Sequence, residues 1–441
     1  MLKTDLVKFY EGLDSLYIVT NNELQNASYQ SDSNFTLSTK YPRHRWFYYK
    51  EGFSPDLVEN LLKEFGATKD SVICDPFCGA GTTLAVAQAN GMRSVGFEVN
   101  PFAVLISSVK TAQYTPEEIT TFRHYLFSLS KLSLDITYPA PDNEYLGRIF
   151  STKMLSVQQN LKSYINGLPE GNAKALMFFC WLCTLEKCSL FRKAGNGLKV
   201  KTRKPDFEDK NEKAYATSEI QERANIILQD ISNPIEGPIP VIHGESSSTL
   251  ESTVEANSLD AVIFSPPYAN CFDYTKIYYL ELWFGGFVNS KADQKKIRMK
   301  SIRSHVHTTW PERYESFHLP ELNEKIIPLI AKGDLWTSRI PLMLNGYFAD
   351  MSETLRQVYS CLKPGGRCAI VVSNSAYAGV IVPTDLFLAR IAEDLGFSVQ
   401  EIEVERLIIT SSQQYRETEP IKKYLRESIV KLQKPEVSKW K

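Results

Sequence analysis

The order of apolar and polar positions predicts alternating helices and strands from about residue 50 onward. Apolar residues recur at helical spacing in Pro55 to Phe65, and the short apolar runs Ser71 to Cys74 and Arg93 to Phe97 predict strands. Between these strands, the segment from about Gly81 to Asn90 has a helical pattern. Two strands that enclose one helix form a βαβ unit, so the pattern predicts neighbouring parallel strands.

The same alternation returns in the second half of the chain. It predicts further strands at Pro238 to His243, Leu259 to Phe264, Cys368 to Val372, Glu403 to Thr410 and Glu427 to Leu432. It predicts helices at about Pro341 to Leu362 and Thr384 to Leu395. Together with the first unit, these elements predict an α/β fold.

The pattern also divides the chain. Residues 1–45 form an N-terminal extension, residues 46–110 and 236–441 carry the helix and strand alternation, and residues 111–235 interrupt it with mostly helical, partly basic sequence. A second irregular basic interval occupies residues 287–335. We therefore expect one sheet domain with two insertions.

Composition excludes several classes of protein. The 441 residues are 43% hydrophobic and 23% charged, which is typical of a globular protein. No apolar run reaches the roughly 18 residues of a membrane span, and residues 1–5 do not begin a signal peptide, so we expect a cytoplasmic protein without a membrane partner. The eight cysteines lie mostly in apolar stretches, which favours buried thiols. Cys180 and Cys183 have the CxxC spacing of two of the four ligands of a zinc site, but no second pair follows, so no metal is predicted.

Charge is segregated locally. The formal net charge is −1, so nothing in the whole chain indicates a polyanionic partner. However, Phe191 to Lys204 contains six basic residues and no acid, and Lys291 to Arg303 contains six against one Asp. Each run is either a solvated loop or a surface for phosphates.

The most informative segment is Val72-Ile-Cys-Asp-Pro-Phe-Cys-Gly-Ala-Gly-Thr-Thr83, in which an apolar strand turns through two glycines into a helix. Gly79 and Gly81 allow a ligand to approach the backbone. The turn lacks the Lys of a triphosphate loop and the full spacing of a dinucleotide loop. After the next strand comes Glu98, where Rossmann-like sites place an acid that accepts ribose hydroxyls.

A second polar loop follows the strand Leu259 to Phe264, and it is Ser265-Pro-Pro-Tyr268. An exocyclic amine of a base is a poor nucleophile because its lone pair is delocalised into the ring. The Ser265 hydroxyl and the Pro266 carbonyl can accept its two hydrogens and localise that lone pair, and Tyr268 offers a ring for stacking. The loop has no Pro-Cys pair, which excludes attack on cytosine carbon 5; Cys271 is interpreted as a packing residue.

These motifs resemble the S-adenosylmethionine-dependent DNA amino-methyltransferases. Asp75 to Thr83 is similar to their first cofactor motif, Gly96 to Pro101 to their acidic ribose motif, and Gly52 to Leu62 to the helix-opening segment. The resemblance covers roughly residues 45–110 and 238–432. It implies a Rossmann-like class I methyltransferase with a mixed, mostly parallel seven-stranded sheet and helices on both faces, plus an inserted, mainly helical region.

The resemblance implies S-adenosyl-L-methionine as cofactor and assigns residues to its site. Glu245 is assigned to the adenine, with a solvated acid as the alternative. The implied cofactor residues are Phe53, Ser54, Pro55, Asp75, Pro76, Phe77, Gly79, Gly81, Thr82, Thr83, Glu98, Asn100, Glu245 and Ser265. The implied catalytic residues are Ser265, Pro266, Pro267 and Tyr268. Asp273 and Tyr274 either touch the base or cap and pack the following helix.

The resemblance implies double-stranded DNA as substrate, with the target base flipped out of the stack, and a cognate restriction endonuclease as partner. Candidate DNA contacts come from both basic intervals, and residues 111–235 are the candidate recognition region. These contacts are Arg192, Lys193, Asn196, Lys199, Lys201, Arg203, Lys204, Arg298, Arg303 and His305.

The motifs leave several alternatives for the methylated base. In the family, Ser before Pro-Pro-Tyr accompanies cytosine N4, and Asp or Asn accompanies adenine N6, so Ser265 favours N4-methylcytosine. A guanine-N2 RNA methyltransferase shares the two loops but has an N-terminal RNA-binding domain, for which residues 1–45 are too short. A non-catalytic scaffold would not need an intact Ser-Pro-Pro-Tyr loop. The motif order, with the glycine turn before this loop, is the reverse of the commonest order and leaves the recognition interval open.

Overall fold

A computed structural model describes residues 3–21, 35–50, 52–133, 136, 144–195, 197–203, 207, 211–310, 316–408 and 418–436. The strands are β1 (Val19–Thr20), β2 (Val72–Asp75), β3 (Arg93–Phe97), β4 (Phe191–Ala194), β5 (Gly197–Val200), β6 (Val241–His243), β7 (Leu259–Phe264), β8 (Leu362–Ser373), β9 (Ser375–Tyr377), β10 (Val380–Val382), β11 (Ser398–Leu407) and β12 (Arg426–Gln433).

The α-helices are α1 (Lys3–Asp14), α2 (Pro55–Glu64), α3 (Thr82–Ala89), α4 (Pro101–Thr111), α5 (Pro116–Leu129), α6 (Glu144–Ile149), α7 (Thr152–Asn166), α8 (Asn172–Cys188), α9 (Glu212–Ile231), α10 (Leu250–Thr253), α11 (Tyr274–Ile277), α12 (Tyr279–Phe284), α13 (Lys291–Lys300), α14 (Ile327–Ala331), α15 (Ile340–Cys361) and α16 (Thr384–Asp394). Short 3₁₀ helices occur at Phe35–Lys40, His44–Trp46, Ser247–Thr249 and Glu419–Tyr424, and a π-helical turn at Glu321–Ile326.

The main sheet has eight strands in the order β1-β11-β12-β8-β7-β2-β3-β6. All neighbours are parallel except β12, which runs antiparallel to β11 and to β8. The predicted mixed, mostly parallel α/β fold is confirmed. The predicted strand number was seven, and the eighth strand is the two-residue β1 in the N-terminal segment, which pairs with β11.

Helices cover both faces of this sheet. Successive residues of β7 show the alternation: Ala261 and Ile263 pack with α2 and α3, whereas Val262 and Phe264 pack with α1, α15 and α16. A strand buried on both faces is typical of a parallel sheet, and it explains the continuous apolar run Leu259–Phe264.

Helices α5, α7, α8 and α9 contribute most of a second apolar core. Its central helix, α8, packs against α5, α7 and α9 and also against α4 and α12. The division of the chain into a catalytic domain and two insertions stays a prediction. Among the residues that the structure describes, no helix combines the length and the apolar character needed to cross a bilayer.

Candidate active site

Four neighbouring strands end at one edge of the sheet, and a polar residue follows or closes each of them. β2 ends at Asp75 and β7 is followed by Ser265; Glu98 follows β3, and Glu245 follows β6. These strands are adjacent and parallel, in the order β7-β2-β3-β6, so their carboxyl ends meet. In open α/β sheets this edge is the ligand-binding edge.

One pocket at this edge joins both predicted loops. The predicted residues that line it are Phe53, Asp75, Pro76, Phe77, Gly79, Thr82, Glu98, Asn100, Glu245, Ser265, Pro267 and His305. Six other predicted cofactor or catalytic residues do not line the pocket, and they are Ser54, Pro55, Gly81, Thr83, Pro266 and Tyr268. The glycine turn and the Ser265 loop, which are far apart in sequence, therefore face the same cavity.

The glycine turn is held in a conformation that glycine favours. Gly79 and Gly81 have φ of +47° and +71°, in the left-handed region. A Cβ on Gly81 would lie 3.0 Å from the Cβ of Ser107, and the Ser107 hydroxyl donates to the Gly79 carbonyl at 2.6 Å. The turn thus brings backbone, without side chains, to the pocket wall.

Glu98 is anchored to this turn. Its carboxylate accepts the backbone N–H of Gly79 at 3.0 Å and that of Asn100 at 2.7 Å. Burial raises the pKa of Glu98 to about 7, and burial likewise raises the pKa of Asp75 to about 7. Asp75 accepts the N–H of Phe77 at 3.0 Å, so it orders the turn from below. Two acids with raised pKa values in one pocket are typical of a functional site.

The helix-opening segment divides into two roles. Phe53 lines the pocket, whereas the Ser54 hydroxyl caps α2 by accepting the N–H of Leu57 at 3.2 Å, with Pro55 as the first helical residue. Ser54 and Pro55 therefore fix the position of Phe53.

The Ser265 loop has a partner that the sequence did not predict. The Ser265 hydroxyl lies 3.2 Å from the Tyr268 hydroxyl, which donates to Glu427 at 2.8 Å. Arg406 donates to the other Glu427 oxygen at 2.6 Å. Tyr268 is half-buried against the core, so the structure does not bring its ring to the pocket wall as the stacking hypothesis expects.

A further part of the pocket wall was predicted only in part, through Asp273, Tyr274 and His305. It includes Asp273, Tyr274 and Thr275, together with residues 297, 300–302, 304 and 305 of the second basic interval. Asp273 caps α11 by accepting the Thr275 N–H at 3.0 Å, which is one of the two alternatives left open, and it also lines the pocket. Its contact with a base stays a prediction. The signal for Asp273 in the sequence was its proximity to the Ser265 loop.

Asp273 is also the centre of a charged cluster. Arg298 donates to it from Nε at 3.0 Å, and His307 Nδ1 lies 3.7 Å away. Burial lowers the pKa of His305 to about 4, so its imidazole is neutral at pH 7. Among the described residues, Asp273, His305 and His307 form the one group spaced for a metal ion. However, the Asp273 carboxylate already pairs with the Arg298 guanidinium, and this positive charge disfavours the binding of a metal cation beside it.

The first basic interval forms the hairpin β4–β5, and its candidates differ in exposure. Arg192 and Lys199 are exposed and face each other across the hairpin, and Arg203 is exposed beyond it. Lys193 instead pairs with the buried Glu281 at 2.5 Å. Lys201 donates to three carbonyls at the end of α8, the shortest bond being 2.7 Å to Ser189. The prediction of Lys193 and Lys201 as DNA contacts is therefore corrected, since both hold the hairpin in place; Asn196 and Lys204 lie outside the described residues.

The candidates of the second interval are buried or partly buried. Arg303 is 9% exposed and makes a two-pronged ion pair with Asp350, at 3.0 and 2.9 Å. Arg298 is held by Asp273, and His305 is 3% exposed in the pocket wall. Arg298 and Arg303 each pair with a buried carboxylate, and His305 lines the pocket, so the three do not form an exposed phosphate-binding surface. Their role as DNA-binding residues stays a prediction. Several exposed cations of this interval are on α13, among them Lys291 and Lys295.

The cysteines are free thiols, as predicted, and all but Cys183 are fully buried. Cys180 and Cys188 belong to the apolar core around α8. Cys271 lies 3.5 Å from the hydroxyl of Tyr377, within the core, as a packing residue does.

Comparison with known proteins gives a consistent set of relatives. The N6/N4 Mtase family model, described as "DNA methylase", matches residues 11–108, which include the glycine turn and Glu98. The type II methyltransferase M.BsoBI of Geobacillus stearothermophilus is 29% identical over 444 residues, covering 87% of this chain and 83% of M.BsoBI. The type II methyltransferase M.AvaI of Anabaena variabilis is 28% identical over 400 residues, covering 83% and 82%. Among solved structures, the rRNA methyltransferase AviRa of Streptomyces viridochromogenes covers 95% of this chain and 92% of its own at 10% identity, with a TM-score of 0.27.

Proposed function

We propose that this protein is a DNA methyltransferase of a type II restriction–modification system, and that it transfers a methyl group from S-adenosylmethionine to the N4 amine of cytosine. The supporting observation is that the glycine turn with Glu98 and the Ser265 loop line one pocket at the carboxyl edge of the sheet. The similarity to type II methyltransferases over most of the chain supports the methyltransferase part. Ser265 supports the cytosine part.

The residues of the cofactor end fit S-adenosylmethionine. Glu98 lines the pocket, and its carboxylate retains lone pairs for two ribose hydroxyls beside the two backbone N–H groups it accepts. The left-handed Gly79 leaves the backbone open to the amino-acid end of the cofactor, and Phe53 and Phe77 supply apolar contact. When bound, this cofactor supplies a methyl group on a sulfonium.

The chain's own part in the chemistry is to prepare the amine. The Ser265 hydroxyl lines the pocket and accepts one amine hydrogen, which holds the nitrogen lone pair out of the ring and aims it at the cofactor end of the pocket. The Pro266 carbonyl, the second acceptor expected from the sequence, belongs to a residue that does not line this pocket. The Asp273 and His305 side encloses the base and excludes water. Because a stacked cytosine cannot enter a pocket of this kind, the target nucleotide is flipped out of the duplex.

The duplex is gripped by exposed cations beside this pocket. Arg192, Lys199 and Arg203 of the hairpin region and the exposed lysines of α13 are the candidates, since these side chains face solvent. Phosphate contacts of this kind position the duplex without reading its sequence.

The deciding experiment identifies the product. Purified protein and isotope-labelled S-adenosylmethionine are incubated with duplex DNA of mixed sequence and, in a parallel reaction, with transfer RNA, and the nucleosides of each are analysed by mass spectrometry. We expect labelled N4-methylcytosine. Labelled N6-methyladenine alone would leave a DNA methyltransferase with the wrong base assigned, and label in transfer RNA alone would overturn the DNA assignment.

The restriction–modification role has a separate test. We propose a cognate restriction endonuclease that cleaves the same site when it is unmethylated. Plasmid DNA from cells that express this protein should resist one sequence-specific nuclease and remain sensitive to others, whereas plasmid from cells with the Ser265→Ala variant should be cleaved. Equal cleavage of both plasmids by all nucleases would contradict this role.

A further inference from the structure

A hydrogen-bond chain leaves the reaction centre and ends inside the sheet. It runs from the Ser265 hydroxyl to the Tyr268 hydroxyl, over 3.2 Å, and from there to the Glu427 carboxylate, over 2.8 Å. Glu427 is 2% exposed and receives Arg406 on its other oxygen at 2.6 Å. These hydrogen bonds therefore link the proposed acceptor of the substrate amine, Ser265, to a buried ion pair.

The antiparallel strand β12 makes this contact possible. In a parallel strand the first residues would lie at the opposite edge of the sheet. Because β12 runs the other way, its second residue, Glu427, lies at the carboxyl edge, opposite Ser373 at the end of β8 and Arg406 near the end of β11. The acid thus reaches the Ser265 loop from a strand far away in sequence.

The chemistry of the partners determines the direction of the chain. A carboxylate only accepts hydrogen bonds, so the proton between Tyr268 and Glu427 belongs to Tyr268. Burial and the neighbouring Glu427 raise the pKa of Tyr268 well above its ordinary value, so the phenol keeps that proton. With its single hydrogen committed to Glu427, the Tyr268 oxygen can only accept from Ser265.

We propose that Glu427 is a positioning residue that orients the Ser265 hydroxyl, so that Ser265 donates away from the pocket and presents only lone pairs to the substrate amine. This inference rests on the proposed function. Without the fixed direction, the hydroxyl hydrogen would point into the pocket for part of the time and oppose a hydrogen of the amine. Fixed dipoles that need no reorientation during the reaction are the usual source of such an advantage.

Glu427→Gln tests this inference because it reverses the direction of these hydrogen bonds with little change in the shape of the side chain. Arg406 retains the amide oxygen of the new residue, which turns the amide NH₂ toward Tyr268. Tyr268 then accepts from the amide and donates to Ser265, whose own hydrogen is turned into the pocket. We expect kcat on duplex DNA to fall at least tenfold, while the Kd for S-adenosylmethionine changes less than twofold.

Two further variants separate orientation from folding. Tyr268→Phe cuts the chain but leaves the ion pair of Glu427 and Arg406, and we expect it to lower kcat. In a Tyr268→Phe background, Glu427→Gln should have no further effect on kcat, because it acts through Tyr268. Glu403→Gln is the matched control: it neutralises a strand glutamate of β11 that pairs with Lys431 at 2.9 Å, and it should leave kcat unchanged.

The outcomes are distinguishable. A Glu427→Gln variant with wild-type kcat, or an equal loss of kcat in both backgrounds, would overturn the positioning role and leave the proposed function standing. A fall in kcat in Glu403→Gln as large as that in Glu427→Gln would also overturn it, since any lost ion pair would then suffice. A wild-type protein that transfers no methyl group to any duplex would overturn the proposed function and this inference together.

Discussion

Glu98 offers the sharpest test of the cofactor site, because the structure fixes what its removal costs. Its two oxygens each accept one backbone N–H, from Gly79 and from Asn100, and the residue lines the pocket in which we propose that it accepts the ribose hydroxyls. Glu98→Ala removes every acceptor at once and leaves both N–H groups without a partner. Hydrogen bonds to charged groups contribute about 1.5 to 3 kcal/mol, and part of this returns through water that fills the space.

We therefore expect Glu98→Ala to weaken S-adenosylmethionine binding by about 1 to 3 kcal/mol, which raises the Kd by roughly 5- to 150-fold. Titration calorimetry measures the Kd directly, and thermal unfolding of the same sample shows whether the variant is folded. Glu255→Gln is the control for a lost carboxylate, because Glu255 is exposed outside the pocket. A folded Glu98→Ala variant with unchanged Kd would refute the assignment of Glu98 to the ribose.

Three other predictions follow from the same geometry. Ser265→Ala and Tyr268→Ala should each lower kcat on duplex DNA while the Kd for S-adenosylmethionine changes little, and a large rise of that Kd in either variant would place the loop in the cofactor site instead. The exposed cations of the hairpin region are Arg192, Lys199 and Arg203. Neutralising them should lower the slope of log affinity for DNA against log salt concentration by about 0.9 for each phosphate contact that is lost. An unchanged slope would show that these side chains are solvated and do not contact phosphates. Burial raises the pKa of Asp75 and of Glu98 to about 7, so the folded protein retains protons that the unfolded chain has already released. The free energy of unfolding should therefore fall as the pH rises from about 4 to about 7, and Glu98→Gln should reduce that fall in chemical denaturation series.

The sequence by itself determined the elements and the loops that bear the chemistry. The segments Arg93–Phe97 and Leu259–Phe264 are strands with the predicted bounds, because short strand-like segments bounded by turn residues are a local signal. Gly79, Gly81 and the Ser265 loop were also readable, since the backbone preferences of glycine and proline belong to single residues. Parallel strands then bring their ends to one edge whatever the rest of the chain does.

Only the tertiary structure decided which basic side chains are paired with acids and which acid contacts the Ser265 loop. Lys193 and Arg303 belong to basic runs, yet each is neutralised by an acid from a distant segment, Glu281 and Asp350. Glu427 reaches the Ser265 loop because β12 is inserted antiparallel, a choice of neighbours that no local pattern encodes. Helix and strand periods depend on a few adjacent residues, whereas the partner of a side chain depends on packing between segments that are 47 to 159 residues apart in these examples. For that reason the sequence located the two loops of the pocket but not the partners of their side chains.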